Sequence, residues 1–270
     1  MPGEIFIGEV LKNLNVLTTV PNARLPFIRG SISEILSAKS GERDVYIADG
    51  IASLEMDTYD HTFSACLFKL GYENFAQLYE LRRAAEQNNH WLDVMGGGYS
   101  SNRHYDSVTA IRLKDIDRII ESTASREQLS SIIVFKNRLL SEKASGIRKV
   151  IAGDVMDMRT WDQARKRLKT LKIGGFGVIT CRPSGPFYSG RFTDQYTPEE
   201  YDLYLQGFYG IISNMLFLLD RKGVLFLQFP GDFVRSGRDF SNRINTIGGL
   251  KCHYGGELVH GGIAYAIERK

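Results

Sequence analysis

Apolar and polar residues follow two different patterns along this 270-residue chain. Before about residue 90, apolar residues recur at helical spacing. The segment 31–39, SISEILSAK, opens with a serine suited to cap a helix and predicts a short helix. The segment 62–89 carries the same spacing over a longer stretch that is broken at Gly71. It therefore predicts two helices, or one interrupted helix.

From residue 91 onward, short apolar runs alternate with helical segments, which is typical of a parallel sheet covered on both faces. Five runs predict strands: WLDVM, SVTAIRL, KVIAGDV, FGVITCR and GVLFLQFP. The segments 128–145, 160–171 and 199–220 predict helices, the last of them ending at Arg221, Lys222 and Gly223. Residues 250–270 contain two strand-like pieces joined by a Gly-rich connection, and they predict a closing antiparallel hairpin.

These patterns together predict an α/β fold. We expect a doubly wound seven-stranded sheet, mostly parallel, with a C-terminal antiparallel hairpin and an N-terminal helical cap. The cap is assigned to residues 1–85 and the core to residues 86–270, because the leading helices end near Asn88 and Asn89.

Composition narrows the class of protein further. A hydrophobic fraction of 43% and a charged fraction of 24% are those of a globular protein. A net charge of +3 and a pI near 8.6 do not indicate a nucleic-acid partner, although they leave one open. Cys66, Cys181 and Cys252 are widely spaced, which argues against a disulfide framework or a zinc ribbon and favours a reducing cytoplasm.

The sequence shows neither a targeting pattern nor a metal-binding pattern. The N-terminal segment has no basic region followed by an apolar one, and no run approaches the roughly 18 apolar residues that span a bilayer. The five histidines have no metal-binding spacing. The sequence therefore predicts a cytoplasmic protein without a membrane partner and without a metal site.

The segment HWLDVMGGGYS, residues 90–100, places three consecutive glycines shortly after the carboxylate of Asp93. A glycine-rich turn after a strand exposes backbone N–H groups and lets a ligand approach the main chain. As a dinucleotide motif the turn is incomplete, because Ser101 replaces the third glycine of G-x-G-x-x-G. A structural explanation also stays open, in which Asp93 caps the following helix and the glycines form a tight connection.

The same residues resemble the first motif of the class I S-adenosylmethionine-dependent methyltransferases, acidic-x-Gly-x-Gly-x-Gly. Asp93 and Gly97 match this pattern, whereas Met95 and Tyr99 depart from it. In this family the turn lies under the methionine and ribose parts of the cofactor, and the acidic residue orients the loop and the methionine amino group. The resemblance therefore implies that S-adenosylmethionine is bound by Asp93, Met95, Gly96, Gly97 and Gly98.

Further stretches resemble later motifs of the family in the same order. Asp115, with Asp117 as the alternative, falls where a carboxylate accepts from the ribose hydroxyls, although a solvated loop explains both residues equally well. In IAGDVMDM, Asp154 and Val155 fall where the family contacts adenine. FGVITCRPSGPF resembles the end of the fourth strand of the family, which implies that Cys181 borders the departing methyl group. The residue types favour Cys181 as a small packed side chain over Cys181 as a nucleophile.

The residues after the fourth predicted strand are candidates for the acceptor side. As a hypothesis from chain order, the cap and this stretch form the acceptor pocket, with Arg182, Pro183, Tyr188 and Arg191 on the substrate side. RPSGPF faintly resembles the D/N-P-P-Y/F element of amino-methylating nucleic-acid enzymes, but Arg182 replaces the accepting side chain, so that chemistry is not assigned. The nearby aromatic residues suit either stacking on a flat substrate or packing.

The ordered resemblance covers residues 85 to 270 and implies methyl transfer from S-adenosylmethionine to an acceptor, a small molecule or a nucleic acid, that the sequence does not identify. The cationic sulfonium and ammonium suit carboxylates beside bare backbone, whereas a pyrophosphate would be repelled by Asp93. Two alternatives stay open: an NAD(P)-dependent oxidoreductase, and a catalytically inactive methyltransferase-like scaffold, since Met95 and Tyr99 replace glycines. The oligomeric state is not indicated.

Overall fold

The computed structural model describes residues 56–95, 106–112, 148–153, 155, 157–182, 210–229, 240–242, 244–258 and 262–270. The helices are α1 (Met56–Lys69), α2 (Phe75–Ala84) and α3 (Met158–Leu171). The strands are β1 (His90–Val94), β2 (Ser107–Arg112), β3 (Arg148–Ala152), β4 (Phe176–Cys181), β5 (Leu219–Phe229), β6 (Leu250–Glu257) and β7 (Ile263–Arg269). The predicted helices at 31–39 and 128–145 lie outside the described residues. No described helix combines the length and the apolar character that a membrane crossing needs.

The strands form one mixed sheet in the order β3-β2-β1-β4-β5-β7-β6. The first five pair in parallel, and β7 runs antiparallel to both β5 and β6. The predicted mixed α/β class and the C-terminal antiparallel hairpin are therefore confirmed. Because β1 is flanked by β2 on one side and β4 on the other, the order of the parallel strands reverses at the β1/β4 pair.

Helices α1 and α2 cover one face of this sheet. On α1, the buried residues Tyr59, Phe63 and Leu67 recur four positions apart and lie on one side of the helix. They share an apolar cluster with Phe226 of β5, whose ring lies 5.5 Å from that of Phe63 and 4.8 Å from that of Phe75. These two helices thus share a core with the sheet. The predicted division at residues 85/86 stays a prediction, because residues 1–55 lie outside the described residues.

The interruption predicted at Gly71 is confirmed. Gly71 follows α1 with φ of +86°, a left-handed conformation that glycine adopts without steric cost. Asn74 then caps α2, its side-chain oxygen accepting from the backbone N–H of Gln77 at 2.8 Å. Two local turn and capping features therefore separate the helices, as their residue types indicate.

Helix α3 and the helical residues 210–218 cover the opposite face. Trp161 and Ala164 of α3 pack in the same buried cluster as Ile211, Met215 and the inward side chains of the strands. Helix α3 is followed by Lys172 at φ of +58°, and the backbone N–H of Ile173 donates to the carbonyl of Leu168 at 3.1 Å. The described elements therefore form three layers, with the sheet between two layers of helices.

One predicted helix end is wrong. The pattern over 199–220 predicts a helix that continues to Asp220, but residue 219 already belongs to β5 and pairs with Phe176 of β4. The Asp220 carboxylate accepts from the side-chain amide of Asn88 at 2.7 Å, and Lys222 lies at φ of +61° within β5. Pairing with β4 outweighs the helical spacing here, so Arg221 and Lys222 do not end a helix. Residues 199–209 of the prediction lie outside the described residues.

Candidate functional site

The carboxyl ends of β1 and β4 lie side by side at the point where the strand order reverses. Asp93 is paired with Thr180 and Val94 with Cys181 in the parallel register of these strands. In open α/β sheets, the connections leaving two such strands diverge and leave a crevice in which ligands bind. This edge is therefore the candidate site.

Asp93 carries a fully buried carboxylate at this edge. The hydroxyl of Tyr59, on α1, donates to it at 2.9 Å from Oδ1 and 3.0 Å from Oδ2. The hydroxyl of Thr180, on β4, donates to Oδ1 at 2.8 Å. Hydrogen bonds to a charged acceptor are stronger than those between neutral groups. The Asp93 carboxylate thus joins α1, β1 and β4 near the carboxyl end of β1.

The hydroxyl of Thr180 is itself oriented by a second donor. Trp91 Nε1 donates to Thr180 Oγ1 at 2.7 Å, so the hydroxyl proton is left to donate to Asp93. Trp91 and Asp93 are two residues apart on β1 and point to the same face of the sheet, towards α1. The result is a directed chain of hydrogen bonds that ends on the carboxylate.

Tyr59 is held in its neutral, donating form. Burial raises the pKa of the Tyr59 hydroxyl well above its ordinary value, and the negative charge of Asp93 raises it further. The guanidinium of Arg182 lies over the Tyr59 ring, 5.4 Å from its centroid. A cation, a neutral phenol and a carboxylate therefore meet within one small buried region.

Met95, directly after β1, has an unusual backbone conformation. Its φ is +60°, in the left-handed region that glycine favours, and its backbone N–H donates to the carbonyl of Ile111 at 3.0 Å. A non-glycine residue in this region costs about 1–2 kcal/mol. The position where the family resemblance expects a glycine is thus one where the backbone adopts a glycine-like conformation. Gly96, Gly97 and Gly98 lie outside the described residues.

The turn after β3 is held tightly against α3. The indole N–H of Trp161 donates to the carbonyl of Val155 at 2.7 Å, and Val155 itself is buried. A side chain on Gly153 would overlap the buried Thr160, so glycine is required for this close approach. Gly153 and Val155 are therefore packed against α3, whereas Asp154 and Asp115 lie outside the described residues.

Cys181 faces away from this arrangement. Its side chain is fully buried in the cluster on the α3 side of the sheet. Burial raises the pKa of the Cys181 thiol well above its ordinary value, and the charge of Asp93 adds to the effect. A neutral thiol inside an apolar cluster suits packing rather than nucleophilic chemistry.

The structure brings Asp93 and Arg182 together around Tyr59, and Met95 directly follows β1. Val155 follows β3, which β2 separates from β1, so the described contacts do not join it to this group. Sequence reasoning did not select Tyr59, Trp91, Thr180 or Gln228. Period-two alternation along β1 and β4 could have placed Trp91 and Thr180 on the face of Asp93. Tyr59 resembled any core aromatic on an amphipathic helix. The roles of Pro183, Tyr188 and Arg191 stay predictions, because these residues lie outside the described residues.

Comparison with known proteins gives structural neighbours alone. No protein-family model matches the chain, and no curated protein matches it. Among solved structures, the chain is similar to the O-methyltransferase TomG from Streptomyces achromogenes, solved in complex with SAM, at 15% identity, a TM-score of 0.37 and coverage of 89% of this chain and 96% of that one.

Two further solved structures span almost all of the chain. An O-methyltransferase from Bacillus cereus, solved in complex with SAH, matches at 11% identity and a TM-score of 0.40, covering 99% of this chain and 100% of that one. The human methyltransferase 10 domain containing protein matches at 11% identity and a TM-score of 0.39, covering 99% and 96%. Identities and TM-scores this low transfer neither an activity nor a substrate to this chain.

Proposed function

We propose that this protein transfers a methyl group from S-adenosylmethionine to an acceptor. The observation that carries the proposal is the buried carboxylate of Asp93 near the end of β1, where the strand order reverses between β1 and β4. The parallel sheet closed by an antiparallel hairpin is also the arrangement that the resemblance to class I methyltransferases implies.

The buried charge supports a cationic ligand over an anionic one. Asp93 is fully buried, and its carboxylate accepts from Tyr59 and Thr180. We infer that it acts as a positioning residue at the end of β1 and contributes negative potential to the site. That potential attracts a sulfonium and an ammonium and repels a pyrophosphate, and in a buried setting it is weakly screened. The residues present thus fit S-adenosylmethionine better than a dinucleotide.

The chain's own contribution to such a reaction is placement. Bound S-adenosylmethionine supplies a methyl group that its sulfonium already activates. The hydrogen bonds from Tyr59 and Thr180 to Asp93 hold the end of β1 against α1 and β4, which supports in-line alignment of an acceptor. A general base is optional for this chemistry, so none is assigned.

Calorimetric titration with S-adenosylmethionine and S-adenosylhomocysteine tests the proposal. We expect saturable binding of both to the unmodified protein and a loss of affinity of tenfold or more in Asp93→Asn, Asp154→Ala and Gly97→Val. Asp106→Asn, at an exposed position, serves as the matched control and should bind normally. Unchanged affinity in all three site variants contradicts the assignment.

Thermal melting separates the alternatives. A ligand that binds the native state raises the melting temperature, so S-adenosylhomocysteine should raise it and NAD(H) should not. A rise with NAD(H) alone supports an oxidoreductase. No response to any of these ligands supports an inactive scaffold.

A further inference from the structure

Arg182 follows β4 at the candidate site and is held in a defined position. Its guanidinium lies over the ring of the fully buried Tyr59 at 5.4 Å, and its Nε donates to the side-chain oxygen of Gln228 at a long 3.5 Å. A cation over an aromatic ring is attracted to it, and the N–H groups of a guanidinium lie in one plane. Arg182 therefore carries charged N–H donors at the carboxyl end of β4.

The guanidinium of Arg182 has a donor atom without a hydrogen-bond acceptor in the described part of the chain. Nη1 of Arg182 is buried and has no hydrogen-bond acceptor among the residues that the structure describes, and no ion pair joins Arg182 to a described acidic side chain. The buried carboxylate of Asp93 accepts from Tyr59 and Thr180. A charged donor removed from water without an acceptor is unfavourable, and a ligand that supplies the acceptor removes that cost.

We propose that Arg182 is a carboxylate-binding residue of this site, its guanidinium donating to a carboxylate on a small ligand bound above β1 and β4. The proposal rests on the proposed methyl transfer and specifies a ligand group for it. A planar carboxylate matches the donor geometry of a guanidinium. The single negative charge of such a ligand is balanced by the positive charge of Arg182, although Asp93 is close by. A polyphosphate would add several negative charges beside that buried carboxylate.

Two ligands can supply such a carboxylate: the amino-acid end of the cofactor and the acceptor. The first is tested by measuring, with calorimetry, the affinity of Arg182→Gln for S-adenosylhomocysteine and for 5′-methylthioadenosine, which lacks the amino-acid end. If the cofactor supplies the group, Arg182→Gln weakens S-adenosylhomocysteine roughly tenfold to hundredfold and leaves 5′-methylthioadenosine within about twofold. 5′-Methylthioadenosine also lacks the ammonium group, but this difference cannot explain the expected result. Arg182→Gln removes a positive charge, which would strengthen the binding of an ammonium group and not weaken it.

The acceptor is tested with benzoate as a simple aromatic carboxylate. In the presence of saturating S-adenosylhomocysteine, benzoate should raise the melting temperature of the unmodified protein, and the rise should disappear in Arg182→Gln. Benzamide, which has nearly the same shape without the charge, should give no rise in either protein. This result assigns the carboxylate to the acceptor.

Two further variants keep the test decisive. Arg182→Lys retains the charge without the planar donors, so it should fold normally and show an intermediate loss of affinity. Arg83→Gln, at an exposed position of α2, should behave as the unmodified protein. The inference is overturned if S-adenosylhomocysteine binds the unmodified protein, yet Arg182→Gln and Arg182→Lys change neither its affinity nor the response to benzoate. Failure of S-adenosylhomocysteine to bind the unmodified protein overturns the proposed function itself.

Discussion

At the residue scale, Asp93 stands out as a fully buried carboxylate in strand β1. Burying an ionisable group is unfavourable unless its hydrogen-bonding capacity is met. Here donors come from a helix and from the neighbouring strand, through Tyr59 and Thr180. The stability of the site and the charge that it presents to a ligand therefore depend on the same few hydrogen bonds.

Removing the Tyr59 hydroxyl tests this dependence. Tyr59→Phe keeps the ring and its packing but leaves the Asp93 carboxylate without one donor, so we expect a loss of about 1.5–3 kcal/mol in the free energy of unfolding. Urea denaturation measures that loss. Tyr72→Phe, at a partly exposed position, is the matched control and should change the free energy by less than about 0.5 kcal/mol. A Tyr59→Phe protein as stable as the unmodified one would show that this hydroxyl does not support Asp93.

At the scale of elements, the opposite end of β4 is held against the connection between α2 and β1. The side-chain amide of Asn88 donates to the carbonyl of Gly175 and to Asp220, and Arg82 donates to the carbonyl of Asn88 at 2.8 Å. Gly177 lies beneath that carbonyl, and a Cβ at this position would overlap it. The sheet and the α2 layer can therefore approach this closely because Gly177 has no side chain.

Gly177→Ala should consequently be among the most damaging small substitutions in the chain. Because the overlapping atom belongs to the backbone, relief requires the strand or the connection to move, and we expect a loss of more than about 3 kcal/mol or failure to fold. Gly248→Ala is the control, since a Cβ there meets open space and φ is not in the left-handed region. Soluble expression and urea denaturation of both variants check this prediction. Equal stability of the two would mean that β4 does not approach the Asn88 carbonyl so closely.

At the scale of the whole molecule, burial controls the protonation of the thiols. All three cysteines are buried, and burial raises the pKa of Cys66 and of Cys252 from 9.0 to about 12. Cys181 is shifted in the same direction. The native protein therefore holds protons on these groups at pH values where the unfolded chain loses them.

This difference sets a pH window for stability. Below about pH 9 the folded and the unfolded protein both keep the thiol protons, so the free energy of unfolding is not reduced by thiol ionisation. Between about pH 9 and 12 the unfolded chain binds fewer protons than the folded protein, and the free energy of unfolding falls. Urea denaturation at pH 7, 9 and 10.5 should show this decline. At pH 8, a thiol reagent such as Ellman's should label no cysteine in the native protein and all three after unfolding. Rapid labelling of the native protein would contradict the burial on which the prediction depends.

Local patterns were sufficient for much of the fold. The five parallel strands, the break between α1 and α2 and the closing hairpin follow from apolar spacing and from glycine and asparagine at turns, which act over a few neighbouring residues. The helix end predicted at Arg221 to Gly223 was wrong because pairing of β5 with β4 is a long-range contact that outweighs local periodicity. Asp93 was selected from its sequence neighbours, but its partners Tyr59 and Thr180 are 34 and 87 residues away.

The sequence by itself determined the mixed α/β class and the position of Asp93 near the end of a buried strand, because each depends on residue type and spacing along the chain. Only the tertiary structure decided what those residues contact. The tertiary structure set the strand order that places β1 beside β4, and it directed the side chain of Cys181 to the α3 side of the sheet. It also brought Tyr59 and Arg182 close to the carboxylate of Asp93. Such contacts join elements distant in sequence, and their geometry depends on packing of the whole sheet and its helices rather than on any local pattern.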